Sequence, residues 1–316
     1  MNSIENCIEE KLVRRSMKLM GNQFEITIGN KEEKQAEELI SMAVEEIRRI
    51  ERLLTSFSDT SEAYLINSNA GVRPVSVSDE TIQIIKRANR ISAITQGAFD
   101  LSYGSIDKKL WNFDRSMTSL PDKETAAQMV RLINYRNIIV DEENNTVFLK
   151  EAGMRIGFGG IGKGYAAEKA KTLLKAMGVD SGIVNASGDL TTWGNQPDGR
   201  PWTVGIAHPD QRNYPFSSVN ISDMAIATSG NYEKYVMIAG KKYSHTIDPR
   251  TGLPVTGIKS VSIICPNAEL ADAMTTPVMI MGIRSGLNMI NQLKGMACII
   301  IDDNNTLYTS QNIHLK

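Results

Sequence analysis

Apolar residues along the chain fall into two rhythms. Phe24, Ile26 and Ile28 alternate with polar neighbours, which predicts a half-buried strand over residues 23–28. Beyond Asn30 the spacing lengthens. Ala36, Leu39, Ile40, Ala43, Ile47, Ile50 and Leu54 recur every three or four positions in a charged run, the mark of one long helix with a single buried face. The same spacing returns at Ile82, Ile85, Ala88 and Ile91, with Asp79 as the expected cap and Gly97 near the stop.

A shorter helix is predicted from Asp122 to Leu132, after Pro121. Ile138–Val140 and Thr146–Leu149 flank the polar run Asp141–Asn145 and read as a hairpin. A helix from about Lys163 to Met177 ends on Gly178, a residue suited to a left-handed cap. Strands are predicted at Gly182–Asn185, Trp202–Ile206, Ser260–Cys265 and Ala297–Ile301. Glu269–Met281 reads as a helix made irregular by Pro277. Hairpins and long helices without steady strand–helix alternation favour an α+β fold over a doubly wound parallel sheet. With no linker-like stretch or repeat, the economical expectation is a single compact unit, or one built of two lobes.

Composition narrows the function. The chain has 316 residues, 35 Lys plus Arg and 36 Asp plus Glu, a formal net charge of −1 without the basic excess of a nucleic-acid binder. No apolar run reaches the roughly 18 residues of a membrane span. Met1–Ser16 is charged and lacks a signal-peptide core, and Ile4-Glu5-Asn6 before Cys7 is no lipid-attachment motif. Residues 1–16 are therefore read as an N-terminal extension and 17–316 as the domain. The expectation is a cytoplasmic protein, or an exported or membrane-tethered one if the natural start lies upstream. Three cysteines (Cys7, Cys265, Cys298) and three histidines (His208, His245, His314) are too few for a disulfide framework or a multi-imidazole metal site. A bound metal would take mostly oxygen ligands, which points to magnesium or calcium.

Five segments carry candidate chemistry. Gly157-Phe158-Gly159-Gly160-Ile161-Gly162-Lys163-Gly164 opens a helix, where backbone amides and Lys163 suit an anion; tight helix packing is the alternative. The spacing is neither a P-loop nor a dinucleotide fingerprint. His245-Thr246-Ile247-Asp248-Pro249-Arg250-Thr251-Gly252 sets a histidine before a rigid turn, as a general base or as a structural residue. Asp272 and Thr276 share one helix face and offer part of a magnesium shell, or a local cap. Ala227-Thr228-Ser229-Gly230 ends a strand in hydroxyls able to bond a phosphate or ribose, or is an ordinary strand exit. Gly97-Ala98-Phe99-Asp100, with Leu110-Trp111-Asn112-Phe113 beyond it, is a ring-binding wall or plain core.

Taken in order these segments, with Met20-Gly21-Asn22, Ser61-Glu62 to Asn67 and Lys163-Gly164-Tyr165-Ala166, resemble the ApbE-like family, the magnesium-dependent FAD:protein FMN transferases, from about Met20 to Gly282. The resemblance implies an α+β arrangement related to the T-fold, with mixed sheets and packed helices. It implies an enzyme that takes FAD as substrate, breaks its pyrophosphate, joins FMN by a phosphoester to a threonine or serine of an acceptor flavoprotein, and releases AMP. By the same resemblance Met20, Phe57, Ala98, Phe99, Asp100 and Ile247 line the flavin or adenine pockets, and Lys163 contacts FAD. The Gly160 carbonyl, Asp272 and Thr276 hold Mg2+. Three positions depart from the family pattern. Phe57 stands where tyrosine is frequent, Asn22 where threonine is, and Gly157 where an aspartate usually contacts FAD.

The reaction needs charge management. A pyrophosphate repels an incoming hydroxyl until a cation neutralises it, and a base must take the hydroxyl proton. His245 is the expected base and Asp272 the expected metal anchor. The alternatives are an FAD pyrophosphatase yielding FMN and AMP, and a non-catalytic flavin-binding protein, which would not require the His245–Asp272 pair.

Overall fold

The computed structural model describes residues 12–106, 118–208, 211–231 and 235–313, with side chains at 207–217 excepted. Leu110-Trp111-Asn112-Phe113, Cys7, Tyr232 and His314 lie outside the described residues. Strands β1 (Leu12–Leu19) and β2 (Asn22–Gly29) form an antiparallel hairpin about Met20 and Gly21, both with positive φ. β1 begins at Leu12, inside the segment read above as an extension: Val13 and Leu19 are buried while its arginines face outward.

Helix α1 (Glu33–Leu54) buries the seven apolar positions that its spacing picks out. Next come α2 (Glu62–Ser68), β3 (Val75–Ser76) and α3 (Asp79–Ile94). The α3 cap is Ser78, not Asp79; the Ser78 hydroxyl accepts the Thr81 N–H and Asp79 sits in the first turn. α4 (Lys123–Met129) is shorter than its pattern suggests and is capped by Asp122. β4 (Ile138–Asp141) and β5 (Thr146–Leu149) form the expected hairpin and, with β3, a small three-stranded sheet.

The larger body follows in sequence as α5 (Gly162–Ala176), β6 (Gly182–Ala186), β7 (Asp189–Trp193), β8 (Trp202–His208) and β9 (Gln211–Ile221). Then come β10 (Ala225–Gly230), β11 (Tyr235–Ile238), β12 (Lys241–Ser244) and β13 (Ile258–Cys265). α6 (Ala268–Asn291), β14 (Ala297–Asp302) and β15 (Leu307–Thr309) close the chain. α6 runs ten residues past the expected end, but it breaks at Gly282, whose φ of 81° no helix allows.

An eight-stranded antiparallel sheet, ordered β1-β2-β6-β7-β10-β13-β14-β15, organises the fold. α1, α5 and α6 cover one face, and the core there is continuous with residues of the small sheet such as Val75, Val147 and Leu149. On the other face Val204, Ile206 and Ile221 of the β8–β9 ribbon meet Leu190, Ile226, Ile264 and Ile299. β13 is consequently buried along its whole length, so that Ser260 and Ser262, which alternate with Val261 and Ile263, are covered as well. Each such isoleucine contributes about 1.5–3 kcal/mol relative to exposure. The resulting α+β architecture holds the N-terminus of α5, the start of α6 and the ends of β7 and β10 at one place.

Candidate active site

α5 and α6 cross where α5 has no room for a side chain. A Cβ on Gly164 would lie 2.2 Å from the Ala268 carbonyl oxygen, so only glycine permits this approach. The crossing brings Asp272, one turn into α6, to the first turn of α5, where its Oδ2 accepts the Gly164 N–H at 2.9 Å. α5 has no side-chain cap of its own, and Asp272 serves the purpose from a neighbouring helix. Asp272 is only 6% exposed, and burial pushes its carboxyl above the usual aspartate range against the opposing pull of Lys163.

Lys163 sits between two buried acids. Its ammonium pairs closely with Asp189 and stands 3.9 Å from Asp272 Oδ1. Asp189 begins β7 after a two-residue turn in which Ser187 and Gly188 take φ of 57° and 101°. Its other oxygen accepts the Thr228 N–H at 3.2 Å, tying the acid to β10. Ser229 bonds Thr275 through the hydroxyls at 2.8 Å, and Thr275 in turn donates to the Asp272 carbonyl. The Thr228 hydroxyl faces Ser262. Thr228 and Ser229, expected at a phosphate or ribose, thus brace the acids through protein partners and line neither cavity described below.

Before α5 the chain turns about Phe158, whose side chain is buried and whose carbonyl accepts the Ile161 and Gly162 N–H groups. Two cavities meet across this turn and share Gly157 and Gly159. One, of about 390 Å³, is lined by Ala98, Phe99, Gly160, His245 and Thr276 among others. The other, of about 530 Å³, is lined by Met20, Asn22, Phe57 and Lys163 among others. Phe57 is 95% exposed at its rim, an unusual position for a large apolar ring. With no side chain at Gly159, a ligand's anionic group can approach the backbone between the cavities.

His245 follows β12 at the start of a rigid turn. Asp248 accepts the Gly252 N–H and holds the Arg250 guanidinium, while a Cβ on Gly252 would lie 2.0 Å from the Ala126 carbonyl oxygen. The turn is thereby seated on α4, and His245 reaches the first cavity with its side chain exposed. Two expected pocket residues make other contacts. Ile247 is buried with Ile106, Met129 and Val130, because the turn faces that residue into a small apolar cluster rather than the cavity. Asp100 touches the cavity, but its carboxylate accepts Ser102 N–H and O–H and Tyr135 N–H, anchoring the turn beyond it. Burial, the strongest influence, raises its pKa despite these bonds.

Asp189 lies outside the segments that the sequence marks as candidate chemistry. A Ser-Gly pair between two strand-like runs marks the hairpin before Asp189, but its pairing with Lys163 exists only in three dimensions. No three His, Cys, Asp or Glu side chains converge on a metal position among the described residues. Asp272, the Thr276 hydroxyl and the Gly160 carbonyl offer hard oxygen donors only, and among the described residues Oδ1 of Asp272 accepts no hydrogen bond. That chemistry fits magnesium and excludes a soft-metal site.

The fold and the paired cavities define an α+β protein with a two-part cleft at the N-terminus of α5. The chain belongs to the ApbE family, whose model matches residues 20–300. It is 30% identical over 282 residues to the FAD:protein FMN transferase of Klebsiella pneumoniae, covering 89% of this chain and 87% of that one. The Treponema pallidum FAD:protein FMN transferase is 30% identical over 281 residues, covering 83% and 77%. Among solved structures, the ApbE protein of Thermotoga maritima superposes with a TM-score of 0.84 at 26% identity, covering 95% of this chain and 97% of that one. The flavinyl transferase ApbE of Pseudomonas stutzeri shares the fold, with a TM-score of 0.82 at 23% identity and 95% of each chain covered.

Proposed function

We propose that this protein transfers FMN from FAD to a threonine or serine hydroxyl of an acceptor protein, releasing AMP. The observation that carries the reading is the pair of cavities joined at Gly157 and Gly159, with Lys163 at one and His245 at the other. A dinucleotide has two ring systems bridged by a pyrophosphate, and this site offers two ring-sized spaces bridged by bare backbone and a helix N-terminus. Phe57 and Phe99 supply one aromatic face to each.

The residues then divide the work. Lys163 and the first turn of α5 favour negative charge at the bridge. His245, at the wall of the first cavity, takes the proton of the acceptor hydroxyl as its oxygen bonds to the FMN phosphorus and the bond to the AMP oxygen breaks. The exposure of His245 leaves room for a protein segment to reach it. Mg2+ would be held by Asp272, Thr276 and the Gly160 carbonyl, and when bound it neutralises pyrophosphate charge and steadies the leaving phosphate. Gly157 stands where the family often has an acid, and a Cβ there would meet only Gly104 Cα at 3.9 Å, so FAD contact at this position falls to backbone alone.

The test is mass spectrometry after incubation with FAD, Mg2+ and a threonine-bearing acceptor. An FMN mass gain on the acceptor with equimolar AMP is expected. AMP without a mass gain would replace transfer by FAD hydrolysis, and FAD bound without turnover would leave only a flavin-binding protein.

A further inference from the structure

We propose that Asp189 is a positioning residue that holds the Lys163 ammonium away from Asp272, so that Asp272 keeps an oxygen for a divalent cation. The proposal rests on the reading of Asp272 as a cation ligand. Lys163 has two acids within reach, the close partner Asp189 and Asp272 at 3.9 Å. Asp272 Oδ2 is committed to the Gly164 N–H, so Oδ1 is the oxygen left for a cation, and it is also the oxygen facing Lys163. A lysine ammonium on a flexible four-carbon stem moves readily to the better-placed carboxylate.

Asp189 is built to win that competition. It is 4% exposed, its backbone is set by the turn at Ser187 and Gly188, and Thr228 N–H fixes one of its oxygens so that the other meets the lysine. Without its charge the ammonium closes on Asp272 Oδ1. A divalent cation would then compete with a positive group already seated on its ligand. Moving one unit charge from 3.9 Å to hydrogen-bond distance in a partly screened interior weakens cation binding about tenfold or more.

The experiment measures Mn2+ affinity of the full chain without flavin, from the electron paramagnetic resonance signal of free Mn2+. Asp189→Asn keeps an oxygen for the Thr228 N–H and removes the charge. Relative to wild type, Asp189→Asn should bind Mn2+ about tenfold more weakly. Lys163→Gln should bind at least as tightly as wild type, and the double variant should return to within about threefold of Lys163→Gln, because no ammonium remains to occupy Asp272. Wild-type affinity in Asp189→Asn would overturn the inference. So would a double variant as weak as Asp189→Asn, which would make Asp189 a direct ligand or a folding requirement. Wild-type protein that binds no Mn2+ would overturn the cation reading of Asp272 itself, a failure distinct from the other two.

Discussion

Asp272 on α6 caps α5 by accepting the Gly164 N–H at 2.9 Å, so one acid both closes a helix terminus and faces the Lys163 ammonium. The bond exists because Gly164 lets the two helices touch; an added Cβ would meet the Ala268 carbonyl at 2.2 Å and Asp272 Cβ at 2.7 Å.

Gly164→Ala should therefore cost about 2–3 kcal/mol, in the range of overpacked cores, even though alanine is the better helix former. Urea unfolding would show the midpoint shift, and activity should fall with it because Asp272 is displaced. An unchanged midpoint would mean that the helices separate freely and that the contact is not structurally important.

Phe57 separates binding from stability. Because it is 95% exposed, Phe57→Ala should leave the unfolding free energy within about 0.5 kcal/mol of wild type. Losing a stacking face of about 0.5–1.5 kcal/mol should weaken FAD affinity about two- to thirteenfold, readable from flavin fluorescence. Phe57→Tyr should bind as wild type, since the ring is retained.

For His245 the expected result is a kinetic split. His245→Ala should lower the transfer rate by about 10² to 10⁴-fold while FAD binding changes little, because a base acts on the hydroxyl and not on the resting dinucleotide. Single-turnover flavinylation alongside equilibrium FAD titration separates the two. Equal losses in both would make His245 a binding residue.

A polar cluster away from the cavities sets part of the acid stability. Glu80 accepts two bonds from Arg49, at 2.6 and 2.9 Å, and one from the Tyr165 hydroxyl, joining α1, α3 and α5. The Arg49 hydrogen bonds hold its carboxyl down at about 2, below its ordinary 4.5. A depressed acid stabilises the fold above its unfolded pKa, and that contribution fades as pH falls from about 4.5 through about 2. With Arg49 partly exposed to solvent, about 1 kcal/mol is the reasonable size. Glu80→Gln should thus be less stable than wild type at pH 7, and thermal melts should converge as the pH approaches 2. A gap independent of pH would assign the loss to packing.

Much of this protein is written locally. The seven buried positions of α1, the β4–β5 hairpin, the stop at Gly178 and the ordered motifs that mark the family all follow from periods and turn residues, whose physics spans only a few neighbours. β1 was hidden by its arginines, which project from a strand whose buried side is only Val13 and Leu19. The break in α6 at Gly282 was hidden because one glycine does not reveal its φ.

The site itself divides in the same way. Residue types such as His245, Lys163, Asp272 and Thr276 could be chosen from the sequence, since their chemistry is intrinsic. That Thr228 and Ser229 turn to protein partners, that Ile247 packs away from the cavity, and that Lys163 meets Asp189 could not. Those facts depend on strands and helices distant in the chain converging at a glycine contact. Side-chain direction and charge pairing are properties of that convergence, and only the tertiary structure decides them.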